Sequence, residues 1–130
     1  MPIFALKKIE AIIGKQEFFE IIIDGKSQYE DFCDKIKGNQ QYNSELKTIL
    51  SYMDLVANLQ SLPEKRFKDI TLAKETVKEY EFKSKNLRAY AFHIKKTGKL
   101  VAYWGFKNSQ KKDIVKFRSI KKQYLQSLEK

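Results

Sequence analysis

The sequence predicts an α+β domain: a small antiparallel β-sheet packed by an N-terminal helical hairpin and a C-terminal helix. Three observations lead there. Short Ile-, Phe- and Tyr-rich runs bounded by turn residues occur near the start and again between residues 77 and 107. Two stretches, about 27–37 and 43–60, repeat apolar residues at three- and four-residue spacing, and a third does so over about 110–128. With 130 residues, 42% of them hydrophobic and 13% aromatic, the chain suits a single domain over 1–130 with its own core.

Taken in order, residues 3–13 and 17–24 are two apolar runs separated by Gly14-Lys15, the pattern of a hairpin. The second, with Phe18, Phe19, Ile21, Ile22 and Ile23, has the stronger strand composition, whereas the first also fits a partly helical segment. Asp24-Gly25 marks a turn. Ser27 and Glu30 have capping-box spacing, and Tyr29, Phe32, Cys33 and Ile36 then share a helical face that Gly38-Asn39 ends. The next helix, from about Asn43 to Gln60, carries Leu46, Ile49, Leu50, Met53, Val56 and Ala57 on one stripe and stops at Leu62-Pro63. A polar segment, 64–76, follows.

Three strand-like runs come next: Val77–Lys83, Leu87–Lys95 and Lys99–Lys107. Ser84-Lys85-Asn86 and Lys96-Thr97-Gly98 separate them, short enough for an antiparallel meander. Trp104 and Phe106 alternate with Leu100 and Ala102 and read as core. Ser109 is the expected N-cap of the last helix, whose apolar stripe is Ile114, Phe117, Ile120, Tyr124 and Leu128.

Charge is distributed unevenly. Residues 1–80 hold 12 Lys/Arg against 13 Asp/Glu, and residues 81–130 hold 14 against 3, so the whole net charge of +10 resides in the C-terminal part. A concentrated positive surface attracts a polyanion by steering and counterion release, with a solvated lysine-rich surface as the plainer alternative. Cys33 is the only cysteine and His93 the only histidine. That excludes an internal disulfide and a Cys/His metal cluster, and fits a reducing cytoplasmic compartment. No metal or cofactor is expected. The opening apolar run is interrupted by Lys7, Lys8 and Glu10, which argues against a membrane segment. Nothing resembles a nucleotide-cradling glycine loop or a nucleophile elbow.

Between residues 80 and 112, four pieces occur in a familiar order. They are Tyr80-Glu81-Phe82-Lys83, Leu87-Arg88-Ala89-Tyr90-Ala91-Phe92, Gly98-Lys99-Leu100-Val101, and Gly105-Phe106-Lys107-Asn108-Ser109-Gln110-Lys111-Lys112. Together they resemble the RelE/ParE superfamily of bacterial toxins, above all its HigB-like branch, over about residues 77–125. The resemblance implies a RelE-like fold and the toxin of a type II toxin–antitoxin system. Most such toxins cleave mRNA on the ribosome without a metal and are silenced by a cognate antitoxin. The ParE branch instead inhibits DNA gyrase.

Metal-independent RNA cleavage needs the 2′-hydroxyl deprotonated, the phosphorane stabilised and the leaving oxygen protonated. Arg88, at the family's "LR" position, offers a guanidinium fork for two phosphate oxygens, unless it only pairs with Glu81 across the hairpin. Lys83 and Lys107 close the neighbouring strands and could flank the same phosphate. A lysine crowded by other cations gives up its proton more readily, so either fits a general acid or base. Gln110, Lys111 and Lys112 open the last helix in a phosphate-binding position. Tyr90, two residues from Arg88, shares its strand face and could orient a ribose or stack on a base, or pack the sheet. His93 falls on the opposite face of a regular strand, away from this cluster.

Overall fold

Two sets of apolar side chains, one on each side of a single sheet, organise the chain. The computed structural model describes residues 2–94 and 98–129. Its elements are β1 (Phe4–Lys8), β2 (Phe18–Ile23), β3 (Lys26–Ser27), α1 (Gln28–Ile36), α2 (Gln40–Ala57), β4 (Phe67–Asp69), β5 (Glu79–Lys83), β6 (Leu87–His93), β7 (Lys99–Phe106) and α3 (Gln110–Ser127). A 3-10 turn, Lys107–Ser109, joins β7 to α3. Strand order is β1-β2-β7-β6-β5-β4, with the short β3 paired to the far end of β2. The expected Lys96-Thr97 turn lies outside the described residues.

The fold is α+β, but the sheet is mixed. β2 runs parallel to β7, pairing Phe18 with Lys99 and Glu20 with Val101, whereas the other neighbours are antiparallel. A purely antiparallel sheet was the expectation from the short turns. The long return through α1 and α2 is what allows the chain to come back beside β2 in the same direction.

α1 and α2 cover one face, where Phe32, Ile36, Leu46, Ile49 and Met53 meet Phe18, Phe82, Leu87, Val101 and Trp104. α3 covers the other, setting Phe117 and Tyr124 against Ile21, Tyr90, Phe92 and Leu100. Burying each such side chain contributes roughly 1.5–3 kcal/mol, so neither face is dispensable. Leu128, expected on the apolar stripe of α3, lies past the last turn and is 57% exposed.

Helix starts follow their caps. Ser27 Oγ accepts the Glu30 amide at 3.0 Å and donates to buried Glu20. Asn39 accepts the Tyr42 amide at 2.9 Å, so α2 begins at Gln40 instead of near Asn43. Ser109 Oγ bonds to Asp113 and to the Phe106 carbonyl and makes no side-chain bond to a free helix-end amide.

Two expectations about the strands are corrected. The polar segment 64–76 contains β4, an edge strand pairing with β5. The register of β6 against β7 slips between Tyr90/Tyr103 and Ala91/Val101, leaving Ala102 as an extra residue. Such a bulge reverses the alternation along the strand. Leu100 and Ala102 therefore face α3, whereas Trp104 and Phe106 face α1 and α2.

Candidate nucleic-acid interface

Register across β5, β6 and β7 aligns Lys83, Arg88 and Gly105 in one row, on the α3 side of the sheet. Lys107 follows two residues later, and Gln110, Lys111 and Lys112 open α3. Lys83 is half-buried, and Lys107, Lys111 and Lys112 are exposed. The corner between β7 and α3 thus gathers four of the seven residues singled out from the sequence, Lys107, Gln110, Lys111 and Lys112, while Lys83 stands in the adjoining row two strands away.

Arg88 and Tyr90 lie beneath this corner. Arg88 is only 7% exposed; its Nη1 donates to the carbonyls of Ser84 at 2.6 Å and Leu87 at 2.8 Å. Its Nε stands 3.9 Å from Glu81 Oε2 and is buried with no hydrogen-bond partner. That geometry braces the β5–β6 turn, whereas an open phosphate clamp would present the fork to solvent. Tyr90 is fully buried against Phe117, ring centroids 5.6 Å apart, and its hydroxyl makes no hydrogen bond of good geometry. Burial, then the nearby charges of Glu81 and Asp113, push its hydroxyl pKa up. A residue so enclosed packs the sheet and has no face left for a base.

The carboxylates around this corner are all engaged. Gln110 Nε2 donates to Glu81 Oε2 at 2.5 Å, tying the start of α3 to β5. Ser109 Oγ donates to Asp113 Oδ2 at 2.6 Å, and that oxygen lies over Gly105, where an added Cβ would come within 2.1 Å of it. Glycine lets Asp113 fold back onto the strand. Glu45, from α2, holds the β5–β6 turn: it accepts from Ser84 Oγ (2.5 Å), Asn86 N (2.6 Å), Asn86 Nδ2 (2.7 Å) and Gln41 Nε2 (2.8 Å). Burial alone would raise its pKa, but these hydrogen bonds prevail and hold it at about 2.

Further along α3, Lys121 Nζ bonds to Glu79 (2.7 Å), the Val77 carbonyl (2.8 Å) and Glu75 (3.0 Å), while Arg118 bonds to Glu79 and the Ile70 carbonyl. Lys99 is also buried, donating to Gln16 and lying over the Tyr80 ring at 5.0 Å, and burial lowers its pKa. Sequence reasoning passed over Glu45, Lys99 and Lys121. A signal existed for two of them: Lys121 stands on the apolar stripe between Phe117 and Tyr124, and Glu45 beside Leu46 and Ile49 on that of α2.

Two clefts meet at the corner. One, about 460 Å³, is lined by Tyr42, Asn86, Phe106, Lys107 and Asn108; the other, about 510 Å³, by residues 107–112. His93 stands in β6 at odd spacing from Arg88, on the opposite side of the sheet from this row. Among the described residues no group of three His, Cys, Asp or Glu side chains is placed to hold a metal, and no helix is long and apolar enough to cross a membrane. The arrangement can neutralise phosphates along one edge and contact planar groups beside it. Compared with known proteins, the chain matches no family model, no curated protein and no solved structure.

Proposed function

We propose that this protein is the toxin of a type II toxin–antitoxin module, of RelE/ParE type. It acts as a metal-independent endoribonuclease on mRNA held in the ribosome. The observation that carries this reading is the β7–α3 corner, where the exposed Lys107, Lys111 and Lys112 line one cleft beside an aromatic one, with Lys83 in the adjoining row of strand ends. The four-piece signature of residues 80–112 runs through the three strands and the turn that build this corner. Lysines here lower the cost of concentrating negative charge on a phosphorane as the 2′-hydroxyl attacks. Arg88 serves them from below, fixing the turn that carries Lys83. The partner that silences the toxin is a protein whose contacting segment is acidic and covers the corner. The compartment is the cytoplasm.

The test is brief induction in a bacterial host with mapping of mRNA 5′ ends. Wild type generates new ends in phase with codons; a Lys107→Glu/Lys111→Glu/Lys112→Glu variant that unfolds at the same temperature generates none. Growth arrest with intact messages and relaxed plasmids would replace the ribonuclease by a gyrase inhibitor. Arg88→Ala makes a poor substitute for the lysine variant, because it removes two hydrogen bonds that brace the β5–β6 turn and the cation beside buried Glu81, and so loosens the fold.

One observation favours a second reading, an RNA-binding protein without nuclease activity. Glu81 and Asp113 are buried and hydrogen-bonded, and His93 is on the other side of the sheet. Salt-sensitive RNA binding without cleavage, on or off ribosomes, would select it.

A further inference from the structure

Two walls of the cleft beside Lys107 are aromatic. Tyr42 from α2 and Phe106 from the end of β7 stand with ring centroids 5.4 Å apart and planes at 50°, both half-buried. Phe106 also packs on Phe32 and so is anchored from behind. The floor is polar and fixed. Asn86 gives its backbone N–H and its side-chain Nδ2 to Glu45, and its backbone carbonyl accepts the Lys107 amide at 2.8 Å. That leaves the Asn86 side-chain oxygen as an acceptor, with exposed Asn108 opposite as donor and acceptor. The neighbouring groove carries Lys107, Lys111 and Lys112, all exposed.

We propose that this cleft is a nucleotide subsite: it takes one unstacked base of single-stranded RNA against Tyr42 and Phe106, with the adjoining phosphates on Lys107, Lys111 and Lys112. The proposal rests on the RNA-directed reading above and names the part of the strand that the corner holds. The cleft's 460 Å³ falls within the range of about 300–1,000 Å³ usual for small-ligand sites. An aromatic wall beside amide groups matches a flat heterocycle with polar edges, and every base presents such a face. A duplex does not, because A-form helices keep their bases stacked and the readable groove narrow. Lysines alone would serve any polyanion; the aromatic-amide cleft is what restricts the ligand to unpaired nucleotides.

The experiment measures binding of a fluorescein-labelled short single-stranded RNA by anisotropy across a salt series. The comparators are the same strand with one base removed and the strand annealed to its complement. Wild type prefers the intact single strand, and log affinity falls with log salt at a slope of about −2 for three lysine–phosphate contacts. Tyr42→Leu, which keeps bulk but removes the ring, weakens binding about tenfold and leaves that slope unchanged. Lys111→Glu/Lys112→Glu flattens the slope. Asn108→Ala, at an exposed position that cannot disturb the core and without a change of charge, also weakens binding and decides the matter if Tyr42→Leu proves less stable. Equal binding by wild type, Tyr42→Leu and Asn108→Ala, or equal binding of the duplex, overturns the subsite. Messages cleaved in cells by a toxin whose oligonucleotide binding ignores Tyr42 would remove the subsite alone. Binding through Tyr42 with every message intact would remove the ribonuclease and leave the subsite standing.

Discussion

The sheet face under α1 and α2 is lined by Phe18, Phe82, Leu87, Val101 and Trp104, whereas the face under α3 buries Glu79, Glu81, Arg88, Asp113 and Lys121 among Phe92, Leu100 and Phe117. The first face holds together by exclusion of water, with only Glu20 and Glu45 among its buried carboxylates, each bonded to a helix cap or a turn. The second depends on each buried charge finding a partner. The contrast separates net charge from available charge. Of the fourteen Lys and Arg in residues 81–130, Arg88, Lys99, Arg118 and Lys121 are bonded within the fold. The lysines at the start of α3 remain exposed. The start of α3 thus carries exposed positive charge, whereas Arg118 and Lys121 further along the same helix form a structural clasp.

The largest expected effect tests that clasp. Lys121→Met strips buried Glu79 of its closer cation and should cost about 3–5 kcal/mol in chemical denaturation. The next residue, Lys122, is exposed, and Lys122→Met should stay within about 0.5 kcal/mol. Equal losses at the two positions would abolish the distinction between buried and surface cations drawn here.

Glu45→Gln comes next, at roughly 2–3 kcal/mol, since a charged acceptor of four hydrogen bonds is replaced by an amide that must also donate. It should also change the acid limb of stability. The folded-state pKa of about 2 lies below the ordinary 4.5, so the carboxylate's contribution is complete above 4.5 and disappears as pH falls toward 2. Denaturation midpoints between pH 5 and pH 2 should fall less steeply in Glu45→Gln than in wild type. Parallel slopes would mean that Glu45 does not hold the turn as described.

A smaller loss, about 1–3 kcal/mol, is expected for Gly105→Ala, because the new methyl collides with the Asp113 carboxylate. Asp113→Ala in the same chain should recover part of it. The smallest effect is that of Lys112→Ala, within about 0.5 kcal/mol on stability, yet measurable as a weaker salt dependence of RNA binding. If Lys112→Ala destabilises the fold as Lys121→Met does, the two ends of α3 are not different in kind.

Local pattern carried much of this architecture. β5, β6 and β7 lie where alternation and turn residues placed them, and α1 and α3 where caps and apolar spacing did. Pairing between distant segments was not legible, because nothing in residues 18–20 or 99–101 records that they become parallel neighbours. β4 was missed because it is only three residues long and lies on an edge of the sheet, too short for alternation to show. The bulge at Ala102 hid the true facing of Trp104 and Phe106, since period-two reasoning assumes an unbroken strand. At the corner, the residue types and their row were readable from spacing, but the depth of Arg88 and Tyr90 was not. Burial there is set by α3 closing over the strands, a tertiary event that alternation along β6 does not encode.

The parallel pairing of β2 with β7 also has a consequence for synthesis. β2 leaves the ribosome well before its central neighbour, which begins at Lys99, so the edge that β7 will cover stays open in the meantime. At about 5–20 residues per second, the intervening stretch keeps that edge waiting for roughly 4–16 s. During that interval β2 has β1 on one side only, and its other edge is open to pairing with a neighbouring nascent chain. Closure of the sheet through β7 is thus a late event, and the basic corner is completed only after it, when α3 closes.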